Sequence, residues 1–323
     1  MVDKRTKNQV VRRTKRVKEL SGESGPTLVH RDAAGIDIGS RSHFVAVPQD
    51  RDAEAVREFQ SFTGDLERLA DWLTKCGVKT VAMESTGVYW IPVYELLEER
   101  GFEVLLVCAS HLRNVPGRKS DVLDCRWIQR LHSFGLLRAS FRPGKEFVEL
   151  RAYMRQRSRL VTDAARTVQH MQKSLMEMNL QLHHVISDIT GETGMRIVRQ
   201  IVGGERDGLQ LARLRDARCK QPVAVIAAAL EGTYKTEHLF TLTQALAAYD
   251  FHVSQLAECD ARIVEKLAAL EKATDVDAES RTPLPPARPR SAHGHQPKFD
   301  ARSPLHRICH DVDLTQIPGI APA

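Results

Sequence analysis

Apolar residues recur along this chain in two rhythms, and the change from one to the other falls near residue 144. Ahead of it, short apolar runs alternate with helix-length segments. Two adjacent β runs, "AAGIDIG" and "HFVAVP", are joined by a short turn through Gly39 and Ser40 and followed by a third, "REFQSF". "TGDLERLADWLTKCG" then reads as a helix, with Thr63 able to cap it and Leu66, Leu69, Trp72 and Leu73 on one face. "VKTVAMES" is a buried strand, "YWIPVYELLEERG" a helix closed by Gly101, and "FEVLLVCAS" another buried strand.

A three-stranded meander followed by alternating helices and parallel strands is the layout of an α/β RNase H-like domain. Past residue 144 the rhythm becomes heptad-like. Leu150, Met154, Arg157, Val161, Ala164, Val168, Met171, Leu175, Met178, Leu182, Val185 and Ile189 alternate spacings of four and three, interrupted only by Arg157. Leu239, Leu242, Leu246, Tyr249, Val253, Leu256, Asp260, Ile263, Leu267 and Leu270 do the same. Such seams predict coiled-coil packing, within the chain or between subunits. Between them lie shorter helices broken at Pro222. The predicted organisation is a basic disordered arm over 1–31, the α/β domain over 32–143 and a helical coiled-coil region over 144–274. A Pro/Arg-rich linker over 275–308 and a short terminal segment over 309–323 complete it.

Composition narrows the function classes. No apolar run reaches the ~20 residues of a membrane helix, and the basic start has no apolar segment after it, so the expectation is a cytoplasmic protein without a membrane partner. The six cysteines lie far apart with no metal-ligand spacing, which predicts reduced thiols. His183 and His184 have no sequence partners for metal ligation either. The net charge of +6 is unevenly placed: basic residues crowd the first twenty positions and punctuate 281–307, as phosphate-binding surfaces or solvated tails do.

Four acids stand where the pattern makes them useful. Asp37 lies on the first strand, and Glu84 ends a parallel strand at the carboxyl edge of the sheet. Asp121 and Asp124, three apart at the start of a helix, share a face. Each has an ordinary alternative: a turn acid at Asp37, a helix N-terminal acid at Glu84, first-turn acids capped by Ser120 at the other two. Taken together, converging carboxylates repel by about 4 kcal/mol per close pair at an effective dielectric near 20 unless cations neutralise them. Two Mg²⁺ ions suit such oxygen ligands and an in-line phosphoryl displacement. Arg113, Arg118 and Lys119, just before the acid pair, are candidates to hold a phosphate, or are solvated loop charges. Tyr89 and Trp90 read as core rather than base-stacking residues.

"GIDIGS", "MESTGVYW" and "VPGRKSDVLDCRWIQRL" resemble the signature blocks of the DEDD-motif transposases of bacterial insertion sequences, the group called insertion-sequence family one-ten. The resemblance implies a RuvC-like RNase H fold, Mg²⁺ dependence, a coiled-coil insertion used in assembly as dimer or tetramer, and a separate C-terminal domain. It also implies recombination of element ends with target DNA, guided by a structured bridge RNA, in a nucleoid-associated cytoplasmic protein. Carried over by position, Asp37, Glu84, Asp121 and Asp124 would be the catalytic, metal-binding acids that activate strand cleavage. A serine of the C-terminal domain would become linked to DNA. "IPGIAPA" looks like the helix-hairpin-helix opening of that domain, with Ala321 where a second glycine is common, and the sequence stops there. The expectation is a truncated copy that does not complete strand transfer.

Three other functions fit parts of the sequence. An actin-like ATPase or sugar kinase shares the "GIDIGS" hairpin but needs a second Asp-Gly-Gly loop and has no use for two long heptad runs. A RuvC-like endonuclease using water as nucleophile keeps the fold and dispenses with the serine. A catalytically silent remnant would bind nucleic acid without cutting it.

Overall fold

A computed structural model describes residues 27–108, 121–274, 282–286, 297 and 299–314, with the backbone alone at 121–123. Residues 1–26 of the basic arm, Arg113, Arg118, Lys119 and the terminal "IPGIAPA" lie outside the described residues, whereas Val29 and His30 at the end of the arm are bonded to Ser133 and not disordered. The chain divides into two compact units at Arg142/Pro143.

The first unit is built on a five-stranded mixed sheet in the order β3-β2-β1-β4-β5. Strands β1 (Ala33–Ile38), β2 (Ser42–Ala46) and β3 (Val56–Gln60) form an antiparallel meander. On the other side of β1, β4 (Thr80–Glu84) and β5 (Glu103–Val107) run parallel to it. This is the RNase H/RuvC-like topology. The antiparallel half can be joined by short turns, whereas each parallel step needs a crossover helix: α1 (Thr63–Lys75) and α2 (Trp90–Glu99). Gly39 makes the first turn possible, because a Cβ there would lie 2.4 Å from the Ser42 carbonyl oxygen. Helix α1 begins differently from the sequence expectation: Thr63 is its first residue, and the preceding Phe62 occupies the N-cap with no side-chain cap bond. Helix α2 does end as expected, with Gly101 at φ +85° and the Phe102 amide donating back to Leu97.

Period-two alternation sends the sheet's side chains to two different layers. Ala34, Ile36 and Ile38 join Leu69, Leu73, Met83 and Leu97 in the core under α1 and α2. The opposite face is covered by α3 (Asp121–Ser133), whose Ile128 packs with Ala82 and Val107. Helix and strand touch at Gly35, where an added Cβ would lie 2.2 Å from the Gln129 backbone nitrogen and 2.6 Å from the Cys125 carbonyl oxygen. The contact is pinned by polar bonds: Gln129 Nε2 donates to the Ala33 carbonyl at 3.2 Å, and Thr80 Oγ1 pairs with His132 Nε2 at 2.8 Å. His132 stacks on His30, ring centroids 4.8 Å apart.

The second unit is helical, and no helix among the described residues of the chain is long and apolar enough to cross a membrane. Its frame is two long helices, α4 (Lys145–Glu177) and α9 (Thr236–Ala273), packed antiparallel within one chain. The two heptad runs thus face each other, with Leu150, Leu160 and Ala164 packed in one cluster with Leu256, Ile263 and Leu267. Their two charged interruptions meet: Arg157 Nε donates to Asp260 Oδ1 at 2.6 Å, with both side chains largely buried. The first run does not continue to Ile189 as one helix. Helix α4 stops at Glu177 because Asn179 turns left-handed at φ +58° and the Leu180 amide bonds back to Leu175. The chain then folds through α5 (Leu182–Val185), α6 (Glu192–Val202), α7 (Gly208–Arg213) and α8 (Val223–Ala228). Leu182 and Ile189 enter a cluster with Ile197, Leu211 and Ile226 instead. A short α10 (Arg302–Ile308) adds Ile308 to the α4–α9 core.

These packings carry measurable consequences. Gly35→Ala forces helix backbone away from strand backbone and is expected to cost about 3 kcal/mol or more in the first unit, by calorimetric or denaturant unfolding. Burial holds His132 down at about 4, with a smaller push from His30. Its folded value lies below the unfolded one, so the neutral ring's contribution is full above pH ~6.5 and is lost as pH falls toward 4, by up to about 3 kcal/mol. His132→Gln is expected to flatten that pH dependence of the first unit's melting. Asp260→Ala removes the carboxylate that Arg157 bonds in an apolar seam and is expected to cost about 3 kcal/mol, whereas the double change to leucine should come within about 1 kcal/mol of the parent in chemical denaturation.

Candidate active site

The acid edge is a product of register. β1 pairs in parallel with β4 as Ala33↔Thr80 through Ile36↔Met83. One residue further, the same register brings Asp37 beside Glu84, at the ~5 Å spacing of neighbouring strands. Alternation fixes their common face. Gly35 and Ala82 both touch α3, and Asp37 and Glu84, two residues beyond them, point to the α3 side as well. Glu84 ends its strand, half-buried, and accepts a bond from Thr86 Oγ1 at 3.0 Å.

Helix α3 runs opposite to β1. Its last residue, Ser133, accepts the amides of Val29 and His30 ahead of the strand, Gln129 sits at Ala33, and Cys125 and Gln129 flank Gly35. Going up the strand therefore means going down the helix, and its first turn reaches the carboxyl edge where Asp37 lies. From Gly35 to Asp37 the strand rises about 7 Å; the four residues from Cys125 back to Asp121 cover about 6 Å of helix. The electrostatics record the same approach: burial pushes the Cys125 thiol up to about 12, and the charge of Asp37 adds to that rise. Asp124 is half-buried on this first turn. Asp121 opens the helix, and its side chain lies outside the described residues.

Asp37, Glu84 and the first turn of α3 are thus brought to one end of one sheet face. Among the described residues, no three His, Cys, Asp or Glu groups converge closely enough to make a metal-binding cluster. The donor chemistry nevertheless fits a hard divalent cation. Every candidate is a carboxylate oxygen, and two carboxylates held ~5 Å apart repel by about 3 kcal/mol at an effective dielectric near 20 unless a cation lies between them.

The loop that follows Glu84 departs from the sequence expectation. Trp90 is partly buried against the α1–α2 core, and its Nε1 donates to the Gly87 carbonyl at 3.2 Å. The Arg142 guanidinium stacks on Tyr94 and Trp90, 3.8 and 5.5 Å from the ring centroids. Tyr89, read from the sequence as core, is 46% exposed beside an exposed Val88. It is the N-cap of α2, one turn ahead of the buried Val93, where it stays at the exposed end of the helix. Sequence reasoning also passed over Gly35, Gln129 and the His30–His132–Thr80 cluster. The one available signal was the run of small residues Ala33, Ala34 and Gly35, which permits a close backbone approach without saying by what.

Comparison with known proteins follows the same residues. No curated protein matches the chain significantly. Residues 34–180 match the family model DEDD_Tnp_IS110, described as transposase, a span that holds the sheet, α3 and the whole of α4. Over residues 34–180, then, the chain is similar to the DEDD transposases of the IS110 type.

Proposed function

We propose that the acid edge cleaves DNA strands during movement of an insertion sequence, with Asp37, Glu84, Asp121 and Asp124 as its catalytic and metal-binding carboxylates. The observation that carries this reading is the register that sets Asp37 beside Glu84 with the first turn of α3 packed over the same end of the sheet. Mg²⁺ held by these acids would stabilise the entering and leaving oxygens of an in-line displacement at phosphorus. The protein's own share is placement. Strands β1 and β4 fix two carboxylates rigidly, Thr86 holds Glu84 by its hydroxyl bond, and the Gly35 contact sets the depth at which α3 delivers the other two. Arg113, Arg118 and Lys119 are the candidates to bind the DNA phosphates.

The choice of DNA ends falls to a structured guide RNA, and the active assembly contains more than one chain, in the cytoplasm at the nucleoid. Support for the RNA lies in the signature blocks around the four acids. Support for self-association lies in α9, whose Phe240 and Phe251 are 64% and 60% exposed.

The reading is tested with a purified chain and branched DNA carrying an element end. Mg²⁺-dependent nicking is expected, reduced at least about hundredfold in Asp37→Asn and in Glu84→Gln with the fold intact by circular dichroism. Nicking that persists at the parent rate in both variants removes the acid edge from the chemistry.

A further inference from the structure

Helix α4 presents one face to α9 and another to solvent, and the solvent face is strongly one-signed. Arg151, Arg155, Arg159, Arg166 and Lys173 are all exposed. At 3.6 residues per turn they fall within an arc of about 80°, joined along it by the exposed Thr162 and Gln169. From Arg151 to Lys173 the stripe is about 33 Å long, close to one turn of B-form duplex.

Two acids of the same helix reach across to α9. Glu149 pairs with Lys266 on α9 at 2.5 Å, and Glu177 with His238 on α9 at 3.2 Å and Lys173 at 3.7 Å. Asp163, on the flank of the stripe, pairs with Arg166 at 3.2 Å. Such exposed helical pairs are worth well under 1 kcal/mol and exchange readily for a phosphate. Arg151, Arg155 and Arg159 have no acidic partner among the described residues; Arg159 bonds only to the Gln156 amide oxygen, at 2.6 Å. The asymmetry between the paired helices excludes an evenly mixed solvated surface: α4 carries seven Lys and Arg against four acids, α9 three against six.

We infer that this stripe is a docking surface for duplex DNA, gripping its phosphate backbone without reading bases. Charge complementarity selects the occupant. A duplex carries one negative charge per ~1.7 Å of axis, and a straight row of four guanidinium groups and one ammonium, about one helical turn long, lies opposite several of those phosphates along a single groove edge. Arginine suits the task because its fork bonds two phosphate oxygens at once. The choice of DNA rests on the recombinase reading; the existence of the basic face does not.

The test measures binding by the full chain, not cleavage, so that failure of the acid edge leaves it unaffected. Fluorescence anisotropy with a mixed-sequence duplex of about 30 bp, three helical turns, is followed as NaCl rises from about 50 to 200 mM. The variant R151Q/R155Q/R159Q is expected to bind at least about tenfold more weakly, with its salt slope lower by about three. The variant R151K/R155K/R159K should stay near the parent, and both should keep their helix content because the altered side chains are exposed. Should the glutamine variant lose helix, the single reversals Arg151→Glu and Arg155→Glu are used instead, each expected to weaken binding severalfold and lower the salt slope by about one. Parent-like affinity and slope in the neutralised variants overturn the inference while leaving the recombinase reading intact. A loss confined to a hairpin RNA of equal length, with duplex DNA binding unchanged, overturns it too and hands the stripe to RNA. A parent chain that binds no duplex at all overturns both.

Discussion

Two backbones meet at Gly35 with no side chain between them, and the arrangement of the proposed active edge depends on that contact. Because Gly35 lacks a Cβ, α3 settles directly on β1 and not a side-chain's breadth above it. Gln129 then reaches the Ala33 carbonyl and His132 reaches Thr80, which fixes the helix along its length as well as its height. The acids follow by counting. Alternation carries Asp37 to the face that Gly35 defines, and parallel register does the same for Glu84 from Ala82. A one-residue slip of β4 against β1 would send one carboxylate into the apolar core under α1 and α2, so the hydrophobic pattern of the sheet enforces the pairing of the acids.

The helical unit is specified by a different device. Apolar seams alone tolerate shifts of a heptad with little loss, since leucine meets leucine again seven residues on. Arg157 and Asp260 remove that freedom: in any other antiparallel register each would face an apolar residue with its charge uncompensated. The charged interruptions are what make the pairing of α4 with α9 unique. The same fixed register turns the remaining arginines of α4 outward together.

Much of this was legible in the amino-acid pattern, and the gaps have physical causes. Strand and helix order followed from periodicity because each element buries one continuous face, and Asp37 and Glu84 could be placed on their strands for the same reason. Periodicity names a face without naming what covers it, so the heptads could not say that the two runs belong to one hairpin. Nor could they show where the first run ends, since Val185 and Ile189 keep the spacing after Asn179 has turned the chain away. Thr63 looked like a cap, yet the helix starts one residue earlier than a side-chain cap there would allow. Tyr89 looked like core because its neighbours are. The demand on Gly35 is set by a helix some ninety residues later in the chain, and no local pattern encodes so distant a neighbour.

That separation has a consequence for the order in which the molecule comes into being. Asp37 and Glu84 belong to strands that can pair as soon as β4 is synthesised, while the other two acids follow on α3, more than thirty residues later. The proposed cutting edge is thus complete only once α3 has docked on the sheet at Gly35.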